Sequence, residues 1–194
     1  VAKEKDRDLF TGYAQNDLPE FMLFFMDCLH NSMKTTNVTM TIKGTAKNNT
    51  DILAKTCYAM MKDMYEKEYS PLYDLFYGIS VTVINNKTSN ETLSCKPEPY
   101  MTLDLAIPKK QNITLEDCFD EYCNFELLEK ENAWYNEKIK QKQDVNKGIQ
   151  FWSLPNILIV TLKRFDEITR KKKNLVTIND LNNIDLSKYV VGYN

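Results

Sequence analysis

A chain of 194 residues is long enough to bury one sizeable core. With 43% hydrophobic and 27% charged residues its composition is ordinary for a globular protein, and a formal net charge of −2 argues against a general nucleic-acid binder. The N-terminus, VAKEKDRD, does not read as a signal peptide, no apolar run approaches the ~20 residues of a membrane span, and the odd, scattered cysteines Cys28, Cys57, Cys95, Cys118 and Cys123 suit structural thiols in a reducing, cytoplasmic or nuclear compartment.

In chain order, residues 1–11 are charged and lead into a helix. Asp17 is placed to cap that helix, with Glu20 three residues on and Pro19 tolerable in the first turn. Phe21 to Met26 is apolar on every face, so a buried helix is expected. Its start nevertheless carries Gln15, Asn16, Asp17 and Glu20, which must face a partner, water or a groove. Thr36 to Thr50 is polar, and Val38 to Ile42 alternates as either a strand or an ordered loop. Asp51 opens a second helix whose Met and Tyr stripe (Met61, Met64, Tyr65) reads as core. The sequons at Asn37 and Asn112 read as chance products of an Asn-rich chain.

Ser70 and Pro71 restart a short helix, Leu72 to Tyr77, that stops at Gly78. The period then changes to two: Ile79 to Ile84 and Glu91 to Cys95 read as paired strands around a polar loop, and Tyr100 to Ile107 as the next strand, stopped by Pro108. Thr114 caps a helix, Leu115 to Cys123, with Asp117 at the box position. Phe125 to Glu129 is extended, and Asn132 to Lys147 is too charged to assign. Gly148 to Trp152 and Asn156 to Leu162 are strands, and the second, apolar on both faces, is expected at a sheet centre. Lys171 to Asn174 reads as a solvated hairpin tip before a strand over Leu175 to Ile178. Helices first and mostly strands afterwards indicate an α+β fold.

Several blocks carry a resemblance. Gln15-Asn16-Asp17-x-x-Glu20-Phe21, ending at Leu29-His30, is similar to the Gln-Gln-Asp-x-x-Glu-Phe box of the ubiquitin-specific proteases. Leu75-Phe-Tyr-Gly78, Glu98-Pro-Tyr100 with Leu103, Leu105, Ile107 and Pro108, and Leu154-Pro155 running to Leu162-Lys-Arg-Phe165 resemble later blocks of that family, in the family's order. The resemblance implies the hand of a papain-like cysteine peptidase: a helical part (1–77), finger strands and helix (78–150) and palm strands (148–194), with antiparallel finger and palm strands in one partial catalytic domain.

The same comparison shows what the chain lacks. The family's catalytic cysteine box lies before the Gln-Gln-Asp helix, and its Gly-Gly-His-Tyr motif after the Leu-Lys-Arg-Phe strand; neither is present in this sequence. His30, the only histidine, reads as structural. Cys28 lies roughly 200° from it around the helix, so the two are not a dyad. No catalytic residue is therefore assigned, and a fragment, a degenerate homologue or one part of a split enzyme is expected. The finger tip carries no Cys-x-x-Cys pair, and Cys95 and Cys123 alone do not make a thiolate site. No metal or other cofactor is expected, and the finger is held by its strands and by aromatics such as Trp134 and Tyr135.

What the resemblance leaves is recognition. Asp17 and Glu20, with Gln15 beside them, are suited to the arginine-rich tail of ubiquitin, and Arg164 and Phe165 shape the same cleft. The expected partner is ubiquitin or a ubiquitinated protein, with no nucleic acid and no membrane. Two readings lead, a ubiquitin-binding domain serving cysteine-dependent deubiquitination and a catalytically dead pseudo-protease that binds ubiquitin or another protein; a third is a structural domain that kept the fold and lost ubiquitin altogether.

Overall fold

The computed structural model describes residue 10 and residues 17–165 and 171–193, so Gln15 and Asn16 lie outside the described residues. Three helices come first: α1 (Leu18–Met33), α2 (Asn49–Lys67) and α3 (Pro71–Phe76). Then follow β1 (Gly78–Asn86), β2 (Thr92–Tyr100), β3 (Thr102–Ala106), β4 (Ile113–Thr114) and α4 (Leu115–Cys123). The chain continues through β5 (Glu126–Leu128), β6 (Trp134–Asn136), β7 (Gln141–Gln143), β8 (Val145–Ser153), β9 (Ile159–Lys163) and β10 (Val176–Thr177).

The largest sheet is four-stranded and antiparallel, in the order β2-β1-β8-β5. The β1 and β2 hairpin follows from its alternation, since the inward side chains Ile79, Val81 and Val83 are all buried. Residues 132–147, too charged to assign from sequence, fold into a small hairpin of β6 and β7. Trp134 is half-buried there, whereas Tyr135 is 45% exposed and holds little.

Strand β9 departs from expectation. Among the described residues it lies in no sheet centre but pairs, in parallel, only with β3, in the register Leu103 with Val160 and Leu105 with Leu162. Its apolar residues are half-buried because they pack against the neighbouring core rather than between two sheet neighbours. A second parallel pair joins β10 to β4. Lys171 pairs with Phe165, which puts it on the returning side of its hairpin rather than at the tip. Val38 to Ile42 is an ordered loop, where the Met40 N–H donates to Glu66 Oε1 at 3.1 Å.

Strand β8 joins two cores. A register shift where β1 passes from Ile79 to Ser80 lets the adjacent Phe151 and Trp152 both be buried. Phe151 enters a cluster with Leu103, Leu105, Ile113, Phe119 and Tyr189, and Trp152 enters one with Ala54, Cys57, Val81 and Val83. Residues 190–192 then run alongside: the Val191 N–H donates to the Phe151 carbonyl at 2.8 Å. Gly192 passes so close that a Cβ there would sit 2.0 Å from the Trp152 carbonyl oxygen, so only glycine fits.

Helix α4 begins as the sequence indicates. Thr114 Oγ1 accepts from the Asp117 N–H at 3.2 Å, and Asp117 Oδ2 accepts from the Thr114 N–H at 2.7 Å. Lys110 Nζ lies 2.5 Å from the same carboxylate. That ammonium, then the Thr114 donors, hold Asp117 down at about 2 from an ordinary 3.8. A depressed folded value contributes stability that is present above about pH 4 and lost as pH falls toward 2. Urea midpoints measured down this range should fall more steeply for the parent chain than for Asp117→Asn; equal slopes would refute the linkage.

Candidate functional site

Helix α1 is not buried as its composition suggests. Only Met26 and Cys28 are buried, while Leu18, Phe21, Leu23, Phe25 and Met33 are exposed. The reason is geometric: among the described residues the helix meets the body along one stripe, where Met26 and Leu29 pack with Leu72 and Met101, and it also touches Phe10, which packs on Phe21 and Phe24. Phe21 and Phe25 stack on each other at 6.1 Å on the outer side.

Asp17 occupies the N-cap position, but its side chain caps nothing; its carbonyl accepts from the Phe21 N–H at 3.0 Å. The expected capping box with Glu20 is likewise not formed. Both carboxylates are exposed at the helix start and, among the described residues, neither has a hydrogen bond or ion pair. Two unpaired negative charges there sit in the favourable field of the helix dipole and keep their acceptor atoms open. The second helix differs: Asn48 is its N-cap, and the Asn48 side chain accepts from the Asp51 N–H at 2.8 Å.

Arg164 is half-buried and donates from Nη1 to the Asn174 carbonyl at 2.9 Å, which ties down the returning strand of the hairpin. Phe165 is 65% exposed. Among the described residues, no hydrogen bond, ion pair or ring contact joins Asp17 or Glu20 to Arg164 or Phe165.

His30 is a structural residue. Its Nδ1 lies 2.8 Å from Ser70 Oγ, its Nε2 lies 3.4 Å from Glu68 Oε2, and its ring stacks on Tyr73 at 4.9 Å. Ser70 is fully buried, so the imidazole satisfies an otherwise orphaned hydroxyl. Lys34 chiefly, and then His30, hold Glu68 below the usual carboxylate range. Sequence reading missed this junction between α1 and α3, because His30 and Ser70 stand 40 residues apart.

Four of the five thiols are shifted upward. Burial pushes Cys57 up to about 12 and Cys123 up to about 11, and raises Cys95 and Cys118 as well. All five cysteines are free. Among the described residues no group of three or more His, Cys, Asp or Glu side chains is placed to hold a metal ion, and no helix is long and apolar enough to cross a membrane.

The profile of the ubiquitin carboxyl-terminal hydrolases matches residues 2–193. The chain belongs to that family. Ubiquitin carboxyl-terminal hydrolase 4 of Saccharomyces cerevisiae strain YJM789 is 31% identical over 176 residues, covering 87% of this chain and 19% of its own length. Ubiquitin carboxyl-terminal hydrolase 19 of Homo sapiens is 35% identical over 107 residues, 54% of this chain and 8% of its own. The chain thus spans about a fifth of the length of the first of these relatives. Among solved structures, the SAGA DUB module of Ubp8 with Sgf11, Sus1 and Sgf73, bound to monoubiquitin, matches with a TM-score of 0.69 at 19% identity, over 98% of this chain and 37% of that one. The fold is therefore that of a ubiquitin-specific protease domain.

Proposed function

We propose that this chain is the ubiquitin-gripping part of a cysteine-dependent deubiquitinase. The observation that carries the reading is the exposed, unpaired carboxylate pair of Asp17 and Glu20 at the start of α1. The C-terminal tail of ubiquitin is rich in arginine, and a guanidinium fork pairs best with carboxylates that have no partner of their own. Phe165, exposed at the end of β9, offers an apolar surface to the same tail, and Arg164 shapes the cleft by fixing its hairpin. Gln15, adjacent in sequence to this acidic start, completes the polar set. In the full reaction a thiolate attacks the carbonyl of the terminal ubiquitin glycine, the bond to the joined amine breaks and that amine leaves with a proton, and water then hydrolyses the thioester to return the thiol and the free ubiquitin carboxylate. The residues described here supply the hold on the tail, not that thiolate.

A second reading, a domain that holds ubiquitin and cuts nothing, is favoured by two observations: the upward-shifted thiols of Cys57 and Cys123, and a His30 imidazole already held by Ser70 and Glu68. Both readings require ubiquitin binding. Titration of the chain with ubiquitin by calorimetry should show a 1:1 complex that weakens as salt rises. Asp17→Ala/Glu20→Ala should bind about tenfold or more weakly with an unchanged circular dichroism spectrum, since each lost charge pair at an interface costs about 1–3 kcal/mol. No heat of binding by the parent chain, or equal affinity of the variant, would remove both readings.

A further inference from the structure

Two lysine-bearing segments far apart in sequence meet on one outer face of the palm. The first follows β3, where Ile107 and Pro108 lead into the exposed Lys109 and Lys110. The second is the stretch 171–174 ahead of β10. Three contacts bring them together. Strand β10 pairs with β4 in the register Val176 with Ile113. The Lys172 N–H donates to the Arg164 carbonyl, and Arg164 Nη1 donates to the Asn174 carbonyl. Between the segments lies an open cavity of about 440 Å³, floored by Ile107 and Pro108 and walled by Lys109, Lys110, Lys172 and Asn174. Lys171 and Lys173 stand exposed beside it.

Of these five lysines, Lys110 alone is in an ion pair, with Asp117, among the described residues. The remaining ammonium groups gather on a chain whose formal net charge is −2, so the patch is a local reversal of its overall sign. Their mutual repulsion is held in place by backbone pairing and would be relieved by an anionic partner. Phosphate-rich nucleic acid suits the patch poorly: no aromatic ring lines the cavity to stack a base. The tail proposed for Asp17 and Glu20 is cationic, so this face belongs to a different partner.

We propose that this face docks an acidic segment of a partner protein, with one apolar side chain over Pro108 and flanking carboxylates on Lys109 and Lys172. The arrangement resembles a small hot spot with a charged rim, in which an apolar anchor supplies affinity and the lysines supply steering and register.

The test uses fluorescence anisotropy with a labelled short peptide of Asp and Glu around a central Leu. Its controls are the same peptide with Asn and Gln in place of the acids, and a uridine oligonucleotide of equal charge. The expected result is binding of the acidic peptide alone, weakened by salt, and weakened about tenfold or more in Lys109→Gln/Lys172→Gln. The charge-reversed Lys109→Glu/Lys172→Glu should bind still more weakly while keeping the thermal midpoint of the parent chain. Absence of binding up to about 1 mM peptide, equal affinity of the Gln variant, or tighter binding of the oligonucleotide would each overturn the proposal. Ubiquitin binding, measured separately, should be unaltered in these variants, so the two surfaces are tested independently.

Discussion

Phe151→Ala should lower the unfolding free energy by about 3–5 kcal/mol, the range for truncating a fully buried aromatic ring. Phe151 has no exposed surface and touches three other rings: Tyr122 stacked at 6.0 Å, Tyr100 at 5.4 Å and Phe119 at 6.5 Å. Its removal leaves a cavity that those rings cannot fill without leaving their rotamers. The position also matters topologically. Phe151 sits on the strand that links both cores, and its carbonyl receives the Val191 N–H, so relaxation there disturbs β8 on both faces. Since domains are stable by only ~5–15 kcal/mol, the variant forfeits a large share of the total. Urea unfolding followed by tryptophan fluorescence should show the midpoint falling by about 2 M. Phe165→Ala, at a site 65% exposed, should stay within about 0.5 kcal/mol of the parent. A Phe151→Ala midpoint indistinguishable from that of Phe165→Ala would mean that the core is not where the fold places it.

The sequence was legible wherever the deciding interaction was local. The Thr114 and Asp117 box, the β1 and β2 hairpin, and the stop of α3 before Gly78 each depend on residues a few positions apart, and each stands as read. Misreadings cluster where a distant partner decides. The apolar run Phe21 to Met26 records how hydrophobic α1 is, not how much of the body reaches it, and among the described residues, Phe10 apart, only one stripe is reached. Strand β9 is as apolar as a central strand, but its ladder partner, β3, is remote in sequence, and periodicity cannot name a partner. The acidic pair of the candidate site was readable because Asp17 and Glu20 share one motif; that their side chains would stand free instead of capping was not, since the same residue types serve either use. The lysine face was invisible for a third reason. Its two halves are each an ordinary solvated turn, and only the β4 and β10 pairing makes them one surface.

A ubiquitin carrying a C-terminal electrophile should form no adduct with the native 194-residue chain. Such a probe reports a thiolate held beside the bound tail, and attack rate scales with the fraction of thiol ionised. With Cys57 at about 12 and Cys123 at about 11, the thiolate fractions at neutral pH are ~10⁻⁵ and ~10⁻⁴. Cys118 has no exposed surface and its value is also raised. Cys95 is exposed on β2, but its thiol too is shifted upward, and no imidazole is available to it. The only imidazole in the chain holds Ser70 and Glu68, and Cys28, two residues before it, is buried. A small alkylating reagent should therefore reach Cys95 first in the folded chain, and all five cysteines only after denaturation, as read by intact mass. Binding of unmodified ubiquitin without capture of the reactive form would separate holding from cutting: these residues would supply the grip, and the nucleophile would come from elsewhere. An adduct of ubiquitin mass on any cysteine of the native chain would mean that a thiol and a base do meet here, and the division of labour proposed for this hand would fail.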